Sequence, residues 1–283
     1  MHYTLLLSLS LISLLVFPAR AQQAEPDLSG IKTVYNLPYK SGQQLSAYEK
    51  ERAYLDLYLP EGQSDFPVLV WLHGGGLKIN SKDSLESRIV GIRMAKEGVG
   101  VAIINYRLSP EGQYPDYIED VAAATAWVHQ HIKEYQGNPE KLYLGGHSAG
   151  GYLAAIATLD ASYLQAYDMQ PGTLEGIICI SGQMDSHNTV KEEKGIAAEE
   201  KIIDASAPLY HTATDVPPFL ILYADDDIPG RGAINEEFAR AMKKAGHKLK
   251  IKELKNKDHL SIVMEIMEPK DATARQMLSF IKK

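Results

Sequence analysis

The stretch of sequence that says most about the fold is KLYLGGHSAGGYLAAIATL, residues 141–159. Its start, residues 141–145, is typical of a strand, and its alanine-rich end, residues 151–159, is typical of a helix. Between them, residues 146–150 read GHSAG and predict a sharp strand-to-helix turn that exposes the hydroxyl of Ser148. Glycines there avoid collisions with neighbouring elements, and the helix directs its positive N-terminal end at the turn. A glycine-rich turn with a bystander serine is the alternative, but the flanking strand and helix favour Ser148 as a nucleophile.

Strand and helix patterns alternate along the rest of the chain. The predicted strands are 54–59, 67–72, 100–106, 175–181, 218–224 and 248–254, and the predicted helices are 84–97, 115–135, 235–245 and 272–281. This alternation indicates βαβ units and therefore an α/β fold, with a mainly parallel central sheet and helices on both faces. Since no linker or repeat interrupts the pattern, we expect one domain over residues 22–283. The irregular, charged segment 183–216 is expected to form a small lid.

Composition and charge exclude several classes of protein. The 283 residues are 45% hydrophobic and 23% charged, which is ordinary for a globular domain. The formal net charge is −7, so the basic surface typical of a nucleic-acid-binding protein is not expected. With Cys179 as its single cysteine, the chain has neither an internal disulfide nor a Cys-rich zinc site.

The first residues have the features of an export signal. Residues 5–17 read LLLSLSLISLLVF, an apolar run shorter than the roughly 20 residues that span a membrane but long enough for a signal-peptide core. Residues 19–21, Ala-Arg-Ala, then supply a small-x-small cleavage site. We therefore expect residues 1–21 to be a signal peptide, the mature protein to be periplasmic or secreted, and no stable membrane anchor.

A second motif, His73-Gly74-Gly75-Gly76, follows the predicted strand 67–72. Three consecutive glycines allow backbone N–H groups to face an anionic oxygen without obstruction from Cβ atoms. Together with the N–H of Ala149, which follows the candidate nucleophile, they form a candidate oxyanion hole. The motif alone also fits a flexible turn, but its position upstream of Ser148 favours the first interpretation.

A carboxylate and then a histidine are expected after the serine. Three aspartates, residues 225–227, follow the predicted strand 218–224. We expect Asp227 to orient the histidine and the other two to be solvated or to cap a turn. His259 is the last histidine of the chain and lies in a loop after the predicted strand 248–254, which makes it the candidate base.

These residues resemble the α/β-hydrolase carboxylesterases, in the broad group that includes hormone-sensitive-lipase-like esterases and arylformamidase-like hydrolases. The resemblance covers most of the mature chain and is carried by LDLYLP, VWLHGGG, INYRLSP, GGHSAGG, PPFLILYADDD and KDHLSI. It implies a single-domain α/β-hydrolase fold that needs no metal and no cofactor. It also implies that Gly75 and Gly76 donate to the oxyanion, while Gly74 shapes the turn.

The resemblance also bears on the acid and on the pocket. In such families the acid stands three residues after a glycine. Here Ala224 replaces that glycine, so the spacing selects Asp227 and leaves Asp226 as an alternative. Members often have an aromatic residue directly after HGGG, and this chain has leucine there, which implies a different acyl pocket. The candidate pocket residues are Leu77, Tyr106 and Tyr152.

The function implied is hydrolysis of carboxylic esters by a triad of Ser148, His259 and Asp227. The expected substrate is a small-molecule or carbohydrate-linked ester with a short acyl, acetyl or aromatic group. Two alternatives stay open. The same triad would act on an amide, such as a formamide or a peptide, or the chain is a non-catalytic exported binding protein on this scaffold.

Overall fold

The computed structural model describes residues 27–212 and 214–283. The expected signal peptide, residues 1–21, lies outside these ranges, so export stays a prediction. Within the two ranges, no helix is both long and apolar enough to cross a membrane.

One eight-stranded sheet forms the centre of the described chain. Its strands are β1 (Ile31–Pro38), β2 (Tyr54–Pro60), β3 (Phe66–Leu72), β4 (Gly100–Ile104), β5 (Gly137–His147), β6 (Gly176–Ile180), β7 (Phe219–Asp226) and β8 (Leu249–Asp258). Their order across the sheet is β1-β2-β4-β3-β5-β6-β7-β8. The pairs β1–β2 and β2–β4 are antiparallel, and every later pair is parallel. The predicted α/β fold is therefore confirmed, and β1 is an edge strand that the sequence analysis did not predict.

Helices cover both faces of this sheet. The described helices are α1 (Ala47–Arg52), α2 (Leu85–Lys96), α3 (Asp116–His131), α4 (Ala149–Leu159), α5 (Ala161–Gln165), α6 (Asn188–Glu193), α7 (Arg231–Lys244), α8 (Ser261–Met264) and α9 (Ala272–Ile281). In β3, Val68, Val70 and Leu72 join the apolar layer beneath α3, α4 and α7. Leu69 and Trp71 join the opposite layer, beneath α2, α8 and α9. Because both faces of β3 are buried, its sequence is one continuous apolar run.

Several element boundaries differ from the predicted ones. β5 begins at Gly137 rather than at residue 141, because Phe66 of β3 pairs with Gly137. β7 extends through Asp226, which pairs with Asp258 at the end of β8. α7 begins at Arg231 rather than at residue 235.

The carboxyl ends of the parallel strands bring the candidate residues to one edge of the sheet. His73, Ser148, Asp227 and His259 are the residues that directly follow β3, β5, β7 and β8. In open α/β sheets this edge is where ligands bind. The topology therefore gathers four residues that are distant in sequence.

The segment 183–216, expected to be a small lid, lies over the same edge. It contains α6 and a short 3₁₀ helix, Pro208–His211. The Thr189 hydroxyl donates a hydrogen bond to the carbonyl of Gly76, at 2.5 Å, and the Tyr152 hydroxyl donates to the carbonyl of Ser206, at 2.8 Å. The segment is thus tied to the glycine motif and to α4.

The close packing of the turn between β5 and α4 predicts that a single methyl group added there lowers the stability of the protein. An ideal Cβ on Gly150 would lie 2.1 Å from the carbonyl oxygen of Leu72, which is a backbone atom with little freedom to move. We expect Gly150→Ala to lower the free energy of unfolding by about 3 kcal/mol or more, measured by urea denaturation. Gly172→Ala is the matched control, since no atom lies within 4 Å of its ideal Cβ. Equal stability of the two variants would contradict this account of the turn.

Candidate active site

Ser148 occupies a strained turn at the end of β5. Its backbone has φ 54° and ψ −115°, a region that residues with a Cβ rarely adopt. The N–H of Ser148 donates to the carbonyl of Ile180 on the neighbouring strand, at 2.8 Å, and holds the turn in place. Such strain persists only where the surrounding structure imposes it, and it is concentrated at functional sites.

His259 lies between Ser148 and Asp227. Its Nδ1 is 2.6 Å from Oδ1 of Asp227, and its Nε2 is 2.9 Å from Oγ of Ser148. An ionised carboxylate only accepts hydrogen bonds, so Nδ1 carries the proton and Nε2 of the neutral ring is free to accept from the serine. The side chains of His259 and Asp227 are 18% and 3% exposed, so the acid is shielded while the base reaches the pocket.

Asp227 is held ionised by its neighbours. Burial alone would raise the pKa of its carboxyl, but hydrogen bonds from His259 and Ser181, with a further one from the N–H of Ala224, hold that pKa below its ordinary value. Asp225 and Asp226 are exposed. The structure therefore brings Asp227 to the histidine, and not Asp226.

The glycine motif lines the pocket next to Ser148. Gly75 and Gly76 both line it, and neither N–H donates to an acceptor in residues 27–212 or 214–283. Gly75 has φ 113°, which requires glycine, and an ideal Cβ there would lie 2.2 Å from the carbonyl oxygen of Ile79. Ala149 is the first residue of α4, so its N–H has no acceptor within the helix. These N–H groups are the ones available to an oxyanion.

Gly74 differs from Gly75 and Gly76 because it does not line the cavity next to Ser148. An ideal Cβ at Gly74 would lie 3.4 Å from Cβ of Ser148. It therefore packs against the nucleophile turn, which fits the shaping role that the resemblance implies.

His73 and Tyr106 support the glycine motif from the core side. Their rings stack with centroids 4.3 Å apart, and the Tyr106 hydroxyl donates to the carbonyl of His73, at 2.7 Å. Burial lowers the pKa of His73 to about 4, so its ring is neutral and Nδ1 donates to the carbonyl of Gly74, at 2.7 Å.

The three pocket residues predicted from the sequence do not line the pocket. Each is fully buried in the core, behind the glycine motif or under the segment 183–216. They are Leu77, Tyr106 and Tyr152.

His147 and Glu86 form a second histidine–carboxylate pair, which the sequence analysis missed. Nε2 of His147 donates to the carbonyl of His259, at 2.8 Å, and Nδ1 is 3.0 Å from Oε1 of Glu86. Burial alone would raise the pKa of Glu86, but the hydrogen bond from His147 holds that pKa below its ordinary value. The pair thus connects α2 to the backbone of the candidate base.

The candidate residues open into a cavity of about 540 Å³. The sequence analysis did not assign several residues that line it, because they come from the segment 183–216, from α2 and from the start of α7. They are Glu86, Gln183, His187, Asn188, Thr189, Glu192 and Arg231. Burial lowers the pKa of His187 to about 3, so this ring is neutral in the pocket wall. The described ranges contain no group of three or more His, Cys, Asp or Glu side chains placed to hold a metal ion.

Comparison with known proteins places this geometry among hydrolases. The family model described as BD-FAE matches residues 55–230. Kynurenine formamidase of Danio rerio is 28% identical over 89% of this chain and 83% of its own length. A probable carboxylic ester hydrolase of Mycobacterium tuberculosis, LipM, is 30% identical over 57% of this chain. The chain spans only 41% of the length of that enzyme, and about half that of the plant methylesterases it also matches.

Solved structures of similar shape share the fold. Esterase B from Lactobacillus Rhamnosis superposes with a TM-score of 0.75 and covers 91% of this chain and 87% of its own, at 16% identity. At this identity the likeness shows the α/β-hydrolase fold alone.

The Glu86–His147 pair generates a prediction about stability and pH. Since the pKa of Glu86 in the folded state lies below the ordinary 4.5, its ionised form stabilises the fold above pH 4.5, and this contribution is lost as the pH falls through the folded-state pKa. We expect Glu86→Gln to lower the free energy of unfolding by about 1–2 kcal/mol at neutral pH, and by much less in strong acid. Urea unfolding of both proteins at several pH values measures the difference. Glu140→Gln, on the exposed surface, is the control, and a pH-independent difference would contradict the assignment.

Proposed function

The chain belongs to the BD-FAE family, and on this premise we propose that it is a serine hydrolase that cleaves carboxylic esters with Ser148, His259 and Asp227. The observation that carries the proposal is the continuous hydrogen bonding from Asp227 through His259 to Ser148, beside N–H groups that have no acceptor among the described residues. A serine hydroxyl is a weak nucleophile until an oriented base accepts its proton.

The mechanism follows from these positions. Nε2 of His259 takes the proton of Ser148 as Oγ attacks the acyl carbonyl, and the carbonyl oxygen becomes an oxyanion that accepts hydrogen bonds from Gly75, Gly76 and Ala149. The histidine then gives the proton to the departing alcohol, which leaves an acyl-enzyme. Water attacks this ester with the same histidine as base, and the acid and free Ser148 are released. Asp227 keeps the ring in the required tautomer and stabilises its cationic form.

Two substrate classes are consistent with the site. The proposal is a small-molecule or carbohydrate-linked ester with a short acyl, acetyl or aromatic group, which suits an open cavity of about 540 Å³. An aryl formamide is the second candidate, because the relative named kynurenine formamidase matches along most of both chains. Export of the enzyme, as the signal-like residues 1–21 suggest, would restrict the substrate to one outside the cytoplasm.

Replacement of the nucleophile tests the chemistry directly. We expect Ser148→Ala to stay folded and to lose p-nitrophenyl acetate hydrolysis on the order of 10⁴-fold or more, because no other side chain supplies the attacking oxygen. A fluorophosphonate probe should label the wild-type protein at Ser148 and leave the variant unlabelled. Folded wild-type protein that is neither labelled nor active would favour a non-catalytic binding protein.

A matched aryl ester and aryl formamide, assayed side by side, decide between the two substrate classes.

The two adjacent aspartates provide a second test with its own control. We expect Asp227→Asn to lower kcat on the order of 10³-fold or more, because an amide at this position no longer enforces the tautomer in which Nε2 accepts the serine proton. Asp226→Asn should stay within about twofold of the wild type, since its carboxylate is exposed. Steady-state kinetics on p-nitrophenyl acetate measure both, and a larger loss at position 226 would reverse the assignment of the acid.

A further inference from the structure

Arg231 contributes a cationic group to the wall of the candidate active site. It is the first residue of α7 and lines the same cavity as Ser148 and His259. It also lines an adjoining cavity of about 400 Å³, and Gln183, Asn188 and Ile228 are shared between the two cavities in the same way. Arg231 thus lies at the junction between the cavity next to the nucleophile and a second cavity beside it.

Each of the other charged side chains that line the active-site cavity has a partner, either in an ion pair or in a hydrogen bond. Lys78 forms an ion pair with Glu192, and Glu86 is hydrogen-bonded to His147. His187 adds no positive charge, because burial lowers its pKa to about 3. Each of these groups is therefore satisfied without a ligand.

Arg231 is different. Within residues 27–212 and 214–283, its guanidinium makes no hydrogen bond and no ion pair, and its Nη1 is a buried nitrogen without any partner. The two acids that act on it from a distance are engaged elsewhere: Asp227 with His259, and Asp185 with Lys191, at 3.8 Å. Burial lowers the pKa of Arg231 despite these two acids. A half-buried cation with a buried nitrogen that lacks a partner is unfavourable, and a ligand that supplies an anion would reduce that penalty.

We propose that Arg231 binds a carboxylate on the substrate, so that the preferred esters carry an anionic group that reaches the junction of the two cavities. The inference rests on the proposed function, since it is Ser148 that defines where the scissile ester lies. A guanidinium is planar and presents paired N–H donors, and this geometry matches the two oxygens of a carboxylate. The cavity volume on either side leaves room for a carboxylate on the acyl part or on the leaving group.

Two matched substrate pairs test the preference and locate the anion. The first compares 4-acetoxybenzoate with 4-acetoxybenzamide, which places the charge on the leaving group. The second compares monomethyl terephthalate with methyl 4-carbamoylbenzoate, which places it on the acyl part. For each pair the quantity measured is the ratio of kcat/KM for the anionic ester to kcat/KM for the neutral amide-bearing ester.

We expect Arg231→Met to lower this ratio about tenfold or more in at least one pair, mainly through KM for the anionic ester. Arg231→Lys keeps the charge but not the planar fork and should restore part of the ratio. Arg240→Met is the matched control, because it removes the same charge from the exposed side of the same helix and should leave the ratio unchanged. Circular dichroism checks that each variant is folded. A ratio that is the same in Arg231→Met and the wild type, for both pairs, would overturn the proposal.

A binding measurement separates this proposal from the proposed function. Calorimetric titration of 4-acetoxybenzoate and of monomethyl terephthalate into Ser148→Ala, and into Ser148→Ala with Arg231→Met, reports carboxylate recognition without turnover. At least about tenfold weaker binding of one of these ligands to the double variant supports the role of Arg231 even if no ester is hydrolysed. Equal affinity of both ligands in the two proteins overturns it, even if neutral esters are hydrolysed in a Ser148-dependent manner.

Discussion

The contact of the β5–α4 turn with the end of β3 is the constraint on which the rest of the site depends. Ideal Cβ atoms on Gly146 and Gly150 would lie 2.6 and 2.1 Å from the carbonyl oxygen of Leu72, so the turn rests on β3 with no side chain between. On its other side, the N–H of Ser148 is bound to the carbonyl of Ile180 in β6. The backbone of three adjacent strands therefore fixes the serine in its strained conformation, next to the glycine motif that begins one residue after Leu72.

Much of this backbone arrangement follows from sequence. The G-x-S-x-G turn and the HGGG motif each follow a recognisable buried strand, and parallel strands end at a common edge of the sheet. His259 also follows a predicted strand, 248–254, so it is expected near Ser148 although the two residues are far apart in the chain. The choice between Asp226 and Asp227 is harder, because Ala224 replaces the glycine from which the position of the acid is counted in similar families. β7 continues to Asp226 through its pairing with Asp258, and only that long-range register distinguishes the last strand residue from the first residue of the loop.

The pocket wall could not be predicted in the same way, because it depends on where side chains point after the elements pack. Tyr106 follows a buried strand at the correct edge and was expected to face the pocket. Its ring instead stacks on His73 and its hydroxyl binds the carbonyl of that residue, so it supports the glycine motif from behind. Glu86 has no local feature that distinguishes it from any acidic residue near a helix start. Its partner His147 comes from a different element, and their contact exists only because the first turn of α2, a helix packed on β4 and β2, reaches the end of β5.

The five residues from Asp227 to Arg231 connect β7 to α7 and include two groups with different roles. Asp227, at its start, orients the base, and Arg231, at its end, faces the cavity as a cation without a partner among the described residues. Each is held by a neighbouring element: Asp227 by hydrogen bonds from Ser181 and Ala224, and Arg231 by its position as the first residue of α7. Because the negative charge of Asp227 also favours the charged form of Arg231, the acid helps to keep the guanidinium cationic despite its burial. Under the proposed function, a single short connection thus positions both the group that activates the base and the group that recognises an anionic substrate, and a change in its length would alter catalysis and substrate preference together.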